Sequence, residues 1–415
     1  MSLTWFIAHR LYDGGNRTRK ASRTAIIIAT AGVALGIAVM ILSVSVALGF
    51  KREVQKKIVG IGNHIVVQNY KSSFSDDYQP IEISDSLISV IQGIPEVTHV
   101  QRFCVKSGML KTNESFQGVA FRGIDEDYNL DFLRSILVDG AIDKPFSSKE
   151  SSGRLIISER LARQLHLNVG DRVYAYFFEE NLRARSFKVQ AIYATNLSEY
   201  DNRLVFCDYY TCHQLLRFED DQSSGAEVSI SDMEQLPMVS DAIAGKINHK
   251  QDKYGQNYTS PTIKELYPHI FAWLDLLDLN VIIILALMIA VACFTTVSGL
   301  LIIILERTQF IGIMKALGST NKRLRHIFIY FAILIIGRGM LVGNLLGIGF
   351  CLLQNRFGLI RLDASTYYVD AVPVEISWKW ILFINIVTFL IATLALVIPS
   401  FLVSRIRPAR SIRFE

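Results

Sequence analysis

Four stretches of this chain are almost free of charge. They run for 27 residues between Arg23 and Lys51, 27 between Asp278 and Glu306, 30 from His326 to Asn355 with Arg338 as the one exception, and 25 between Lys379 and Arg405. Each exceeds the roughly 20 residues that cross about 30 Å of hydrocarbon as a helix. The pattern predicts transmembrane helices over 24–50, 277–305, 326–353 and 378–403. The first is too long for a cleaved signal, and "GFKREVQ" offers no small-residue cleavage site. Between the second and third stretches lies a polar, basic segment, 306–325, "ERTQFIGIMKALGSTNKRLR", that keeps an apolar stripe. Phe310, Ile313, Met314 and Leu317 fall at i, i+3, i+4 and i+7, one face of a helix over 306–317. Gly318 is placed to end it, and Ser319 or Thr320 to cap the next helix. Such a helix lies on a membrane surface, with Arg307, Lys315 and Arg323 toward anionic lipid, or docks its stripe into a groove on a soluble partner.

Residues 51–270 alternate strand and helix signals and predict an α+β domain inserted between the first two membrane helices. "HIVVQNY", "SFQGVAFRGI", "ARSFKVQAIYA" and "NRLVFCDYY" read as strands. "SDSLISVIQGIPEV" and "MEQLPMVSDAIAGKINHK" read as helices. "GRLIISERLARQLHLNVGDRVYAYFF" reads as strand, amphipathic helix, turn at Gly170–Asp171 and strand. "DKPFSSKESSG" and "DDQSSG" are the expected flexible points. "GFKREVQKKIVGI" and "TIKELYPHIFAWLDLLDLN" each carry one apolar stripe and a charged back, and predict that the first two membrane helices continue outward as a paired stalk. Pro268 should kink or start the second.

Composition sharpens this picture: the chain has 415 residues, is 51% hydrophobic and has a mean hydropathy of +0.31. Segments 1–23, 306–325 and 404–415 together hold fourteen basic and three acidic residues, although the whole chain is only +5. Positive short segments stay in the cytoplasm, which places both termini and the 306–325 loop inside, and 51–270 and the short 354–377 loop outside. Lys51, Arg52, Lys56 and Lys57 oppose that rule, but a long translocated domain weakens the objection. The fold class expected is an integral membrane α-helical protein of four transmembrane helices with a large extracytoplasmic α+β domain. Cys293 and Cys351 lie within the apolar stretches; Cys104, Cys207 and Cys212 lie outside, most simply as small buried thiols, with a Cys207–Cys212 bridge left open.

Catalytic signatures are missing. No GxxxxGK[ST], HExxH, GxSxG or CxxC occurs, and the eight histidines show no ligand spacing, so no metal site and no nucleic-acid partner is expected. Energy for any work has to come from another protein. Within the apolar stretches, Gly32 and Gly36, and Gly339, Gly343 and Gly347, recur at four-residue spacing and read as helix-packing positions. Arg338 lies mid-stretch and should face protein or water, as an intersubunit contact or as a snorkelling or locally paired side chain.

The segment "ERTQFIGIMKALGSTNKRLRHIF" resembles the coupling segment of FtsX/MacB-type ABC permeases. "PSFLVSRIRPARSIRFE" resembles the C-terminal ending of that family, and "GRLIISERLARQLHLNVGDRVYAYF" resembles its extracytoplasmic "GD" element. "FIAHRLY" and "GVALGIAVMILSVSVALGFKREVQKKIVGIGNHIVV" are most similar to the Lol-type, lipoprotein-releasing branch. The resemblance implies an inner-membrane permease of a Gram-negative bacterium, paired with a second permease copy or paralogue and with a dimer of ABC ATPase subunits that bind the ATP and magnesium. Glu306, Arg307, Phe310, Ile313, Met314, Lys315, Leu317 and Gly318 would then form the ATPase-coupling element, working by mechanotransmission. In the Lol branch a lipoprotein leaves the outer leaflet for a periplasmic chaperone. Val44, Val46, Leu48, Ile282, Ile283 and Leu285 are candidates for its acyl chains, or for plain lipid contact and packing. One departure is the short "EENLRAR" link after the "GD" strand, where chaperone-recruiting members carry a long hairpin. Two other family roles remain open: MacB-like export with a separate ATPase, and FtsX-like control of a cell-wall hydrolase.

Overall fold

The computed structural model describes residues 4–10, 20–75, 77–142, 146, 149–178, 182–248, 250–363 and 367–400. The 404–415 tail, most of 1–23 and much of "DKPFSS" lie outside that set. The chain divides into two units: residues 1–52, 273–361 and 371–415, and residues 53–272 with 362–370.

Among the described residues, four helices are long and apolar enough to cross a membrane, all lying mainly in the first unit: Lys20–Gly62, whose candidate span runs over Ile26–Gly62, Pro268–Glu306, Asn321–Phe357 and Trp378–Ala395. At 1.5 Å per residue the 43 residues of Lys20–Gly62 extend for roughly 64 Å, about twice the hydrocarbon thickness. Pro268 starts its helix, where a missing N–H costs nothing. Asn321–Phe357 begins earlier than the apolar pattern suggests, because Thr320 accepts from the Arg323 N–H and draws the basic residues 321–325 into the first turns. Two apolar clusters hold these helices together, one around Val33, Ile37, Met40 and Ile41 and another around Ile303, Ile304, Phe328 and Ile335. The glycines expected at packing positions lie at helix crossings. A Cβ on Gly343 would meet the Ala34 carbonyl oxygen at 2.6 Å, one on Gly339 the Val33 Cβ at 2.8 Å, and one on Gly347 the Ala38 Cα at 3.2 Å. Gly32 and Gly36 face Thr295 and Ala292 of Pro268–Glu306 in the same way. Asn344 and Asn385 exchange side-chain hydrogen bonds of 2.7 and 2.9 Å between Asn321–Phe357 and Trp378–Ala395.

The second unit holds twelve described strands: β1 (Ile65–Asn69), β2 (Ile81–Glu82), β3 (Val97–Lys111), β4 (Phe116–Ile124), β5 (Leu137–Gly140), β6 (Arg154–Ser158), β7 (Arg172–Phe177), β8 (Arg183–Tyr193), β9 (Leu204–Asp208), β10 (Gln222–Ser223), β11 (Gly225–Ile230) and β12 (Tyr258–Thr259). Ten form a sheet in the order β12-β1-β11-β3-β4-β9-β6-β8-β5, with β7 joining β3 to β8. β3 organises it: residues 97–103 pair with β11, and 104–111 pair with β4. The fifteen-residue strand thus serves two sub-sheets, and its burial follows no single period, which is why its sequence reads poorly. β4–β9 and β6–β8 are parallel, and neither pair is consecutive in the chain: β5 to β8 lie between β4 and β9, and Glu159–Leu165 and β7 lie between β6 and β8. Glu159–Leu165 and Tyr209–Leu216, capped by Ser158 and Asp208, pack over one core containing Phe121, Phe177 and Phe187.

Candidate coupling site

The predicted amphipathic helix forms over Thr308–Ala316, two residues shorter at its start because Arg307 (φ −99°, ψ 19°) breaks the run after Glu306. Gly318 ends it with φ +88°, a conformation glycine adopts without strain, and Ser319 N–H closes on the Met314 carbonyl at 3.0 Å. Its inward residue is Ile311, 0% exposed, with Gly312 beside it; Met314 packs at the margin of the same cluster. That cluster also takes Ile7 and Ala8 from the helical segment 4–10, and Trp5 meets Tyr330 edge-on at 5.6 Å. Sequence reasoning missed this anchor; the apolar run Trp5–Ala8 was its only signal. The rest of the stripe faces away from the fold. Ile313 is 52% and Leu317 77% exposed, Phe310 is half-buried, and Glu306, Arg307 and Lys315 are also half-buried. The helix is therefore gripped on one side and presents an uncovered apolar edge on the other.

The acyl candidates divide. Val44 is buried, and Leu48 and Leu285 pack against the cluster that contains it. Val46 is half-buried, while Ile282 and Ile283 face outward at 62% and 49%. Arg338 lies on an exposed face of its helix. The contrary positive charges are answered locally: Lys51 donates to Asp278 at 2.6 Å, and Arg52 to Glu375 at 2.7 Å.

In the second unit, the end of Lys20–Gly62 enters the sheet through a buried polar network. Asn63 (φ +55°) turns the chain into β1 and donates to Glu227 at 2.7 Å; Gln101 donates to the same oxygen at 2.9 Å. Glu227 pairs with the guanidinium of Arg122, which also stacks 5.2 Å over Phe103. Ile263 N–H donates to the His64 carbonyl at 2.9 Å, and Val66 N–H to that of Pro261 at 3.0 Å. Thr262 and Glu265 form a capping box just before Pro268. The chain segments leaving and rejoining the long helices are thus hydrogen-bonded together within this unit. Burial holds the His64 imidazole down to about 4, and its Nδ1 accepts from the Ile230 N–H at 3.2 Å. A cleft of about 790 Å³ opens beside Arg122, lined by Tyr78, Val105, Ala120, Tyr200 and Tyr267. The network's only trace in the sequence is a lone charge inside each of two apolar strands, "VAFRGI" and "GAEVSI".

Residues 26–246 match the MacB-like periplasmic core domain and 281–408 the FtsX-like permease C-terminal domain. The chain belongs to the MacB/FtsX family of ABC transporter permeases. Among relatives of this MacB/FtsX permease, the lipoprotein-releasing system transmembrane protein LolE of Haemophilus influenzae is 23% identical, with 99% of each chain aligned. LolC of Xylella fastidiosa, with the same description, is 22% identical over 92% of each. The periplasmic region of MacB from Actinobacillus actinomycetemcomitans overlays 51% of this chain and 95% of its own at 16% identity and a TM-score of 0.35. The extracellular domain of the ABC-type transporter YknZ from Gram-positive bacteria overlays 48% and 99% at 15% identity and a TM-score of 0.34. The chain is an inner-membrane permease subunit with a MacB-like periplasmic α+β domain.

Proposed function

We propose that this permease is driven by a separate ABC ATPase through the Thr308–Ala316 helix, and that it lifts lipoproteins from the outer leaflet of the inner membrane for delivery onward. In this reading four helices span the membrane with both termini in the cytoplasm, and two permease chains assemble with two ATPase subunits. ATP-driven closure of the ATPase shifts the coupling helix. The long helices carry the movement to the periplasmic unit without forming a pore. The observation that carries the proposal is the half-covered stripe: Ile311 and Met314 hold the helix, and Ile313 and Leu317 remain for a partner. The alignment with lipoprotein-releasing relatives over nearly the whole chain supports the choice of cargo.

The test uses Ile313→Asp, because Ile313 is exposed and a charge there leaves the permease core undisturbed. A carboxylate forced into a partner's apolar cleft costs several kcal/mol. Ile313→Asp is expected to lose the cognate ATPase on co-purification while inserting at wild-type levels. Thr308→Asp, off the stripe and at a helix start that favours acids, should retain it. Full ATPase retention with normal lipoprotein release by Ile313→Asp would remove the coupling role.

A further inference from the structure

The three cysteines of the periplasmic unit meet at one point. Cys104 on β3 pairs across with Gly123 on β4, and Gly123 with Cys207 on β9, so the three stand in one cross-strand row. Gly123 adds no side chain to that row. A Cβ there would come within 2.6 Å of the Cys212 Cβ, so Cys212, from Tyr209–Leu216, fills the gap above the sheet.

The start of that helix explains the meeting. Asp208 is its cap, accepting from Thr211 N–H at 2.7 Å. Counting from the cap, Cys207 is the residue before it and Cys212 the fourth helical residue. Side chains at these two positions pack on each other as a hydrophobic staple. Here both are thiols in mutual contact, and the Cys212 thiol also reaches the Phe121 carbonyl at 3.5 Å. Cys104 is engaged instead by the Tyr209 hydroxyl. None of the three is more than 1% exposed.

We propose that Cys207 and Cys212 form a disulfide in the mature protein, a covalent staple at the start of Tyr209–Leu216, with Cys104 kept as the remaining thiol. The periplasmic unit folds in a compartment that oxidises thiols. The step balances as thiol–disulfide exchange with a periplasmic dithiol oxidant. One cysteine, as thiolate, attacks the oxidant's disulfide to give a mixed disulfide; the other displaces the oxidant. The S–S bond forms, and two electrons and two protons pass to the oxidant, which leaves as a dithiol. The bond forms during translocation, while the segment is open. Once the core closes, burial keeps reductants away from the bond; in a chain that closes before oxidation, burial pushes the Cys212 thiol well above its ordinary range and makes it unreactive.

The experiment takes the full-length protein from membranes, blocks free thiols with N-ethylmaleimide under denaturing conditions, and digests it with trypsin without reductant. Cys207 and Cys212 fall in one tryptic peptide, Leu204–Arg217. The expected result is that this peptide carries no label and is about 2 Da lighter than its dithiol form, that prior reduction restores two labels, and that the Cys104 peptide is labelled throughout. Cys207→Ser should expose Cys212 to the label, and Cys104→Ala should leave the light peptide unchanged. Labelling of both Cys207 and Cys212 in the unreduced wild type, or a cross-link joining Cys104 to either, would overturn the proposal.

Discussion

Replacing Arg122 with Met would leave the Glu227 carboxylate in the sheet without its cation. Glu227 is 2% and Arg122 7% exposed, so the pair is shielded from bulk water, and Met at 122 keeps most of the volume that separates Glu227 from the neighbouring cleft. Removing one member of a buried pair costs about 3–5 kcal/mol. Asn63 and Gln101 still donate to Glu227, which favours the lower end, about 3 kcal/mol. Local opening should therefore be promoted roughly 100-fold, readable as faster hydrogen–deuterium exchange of β4 and β11 peptides in the full-length protein. The double replacement Arg122→Met with Glu227→Met removes both charges and fills the space with flexible apolar side chains. It orphans the two amide donors, at about 1–3 kcal/mol, so it should recover part of the lost protection. It also removes the Asn63–Glu227 bond, the charged one of the two side-chain ties by which Asn63, at the end of the long helix, holds β11; the other is from the Ser229 hydroxyl at 2.6 Å. Transport should consequently stay impaired in the double variant after stability has partly returned. Exchange unchanged in Arg122→Met would refute the argument that the pair is buried and mutually dependent. Stability and transport recovering together in the double variant would refute the transmission role.

Gly343→Leu drives a side chain into the Ala34 carbonyl and Ile37 and should lower the thermal unfolding temperature in detergent by an overpacking cost of about 1–3 kcal/mol or more, whereas Gly349→Ala, with nothing within 4 Å, should change little. Asn344→Leu removes both interhelical bonds of Asn385, whose Nδ2 keeps only the Ile381 carbonyl of its own helix, and should cost about 1 kcal/mol in the same assay, with Asn385→Leu added on top recovering most of it. His64 is neutral in the folded unit down to about 4 but takes its proton near 6.5 when unfolded, so the unfolded chain binds more protons between those values and stability falls as pH drops through that window. His64→Asn should flatten the slope of unfolding free energy against pH there; an identical slope would count against a buried neutral imidazole.

Local pattern was enough for whatever depends on neighbours in the chain. Charge-free length marked the four long helices, and a 3.6-residue period marked the short helix between two of them. Ser84, capping Asp85–Gln92, and Gly170, turning between Glu159–Leu165 and β7, were readable because caps and turns are set by one or two residues. The period showed an apolar face on Thr308–Ala316, Phe310, Ile313, Met314 and Leu317, but not that Ile311, off that stripe, makes the deepest contact within the chain. Periodicity reports that an apolar face exists, while neighbouring elements decide which part of it they cover. β3 escaped because one strand shared by two sub-sheets changes partners midway, and its burial follows those partners. Arg122, Glu227 and Asn63 are 59 to 164 positions apart, and only strand register makes them one network. The cysteine row likewise depends on Gly123 lying between Cys104 and Cys207, a placement set by long-range backbone pairing and invisible to any local count.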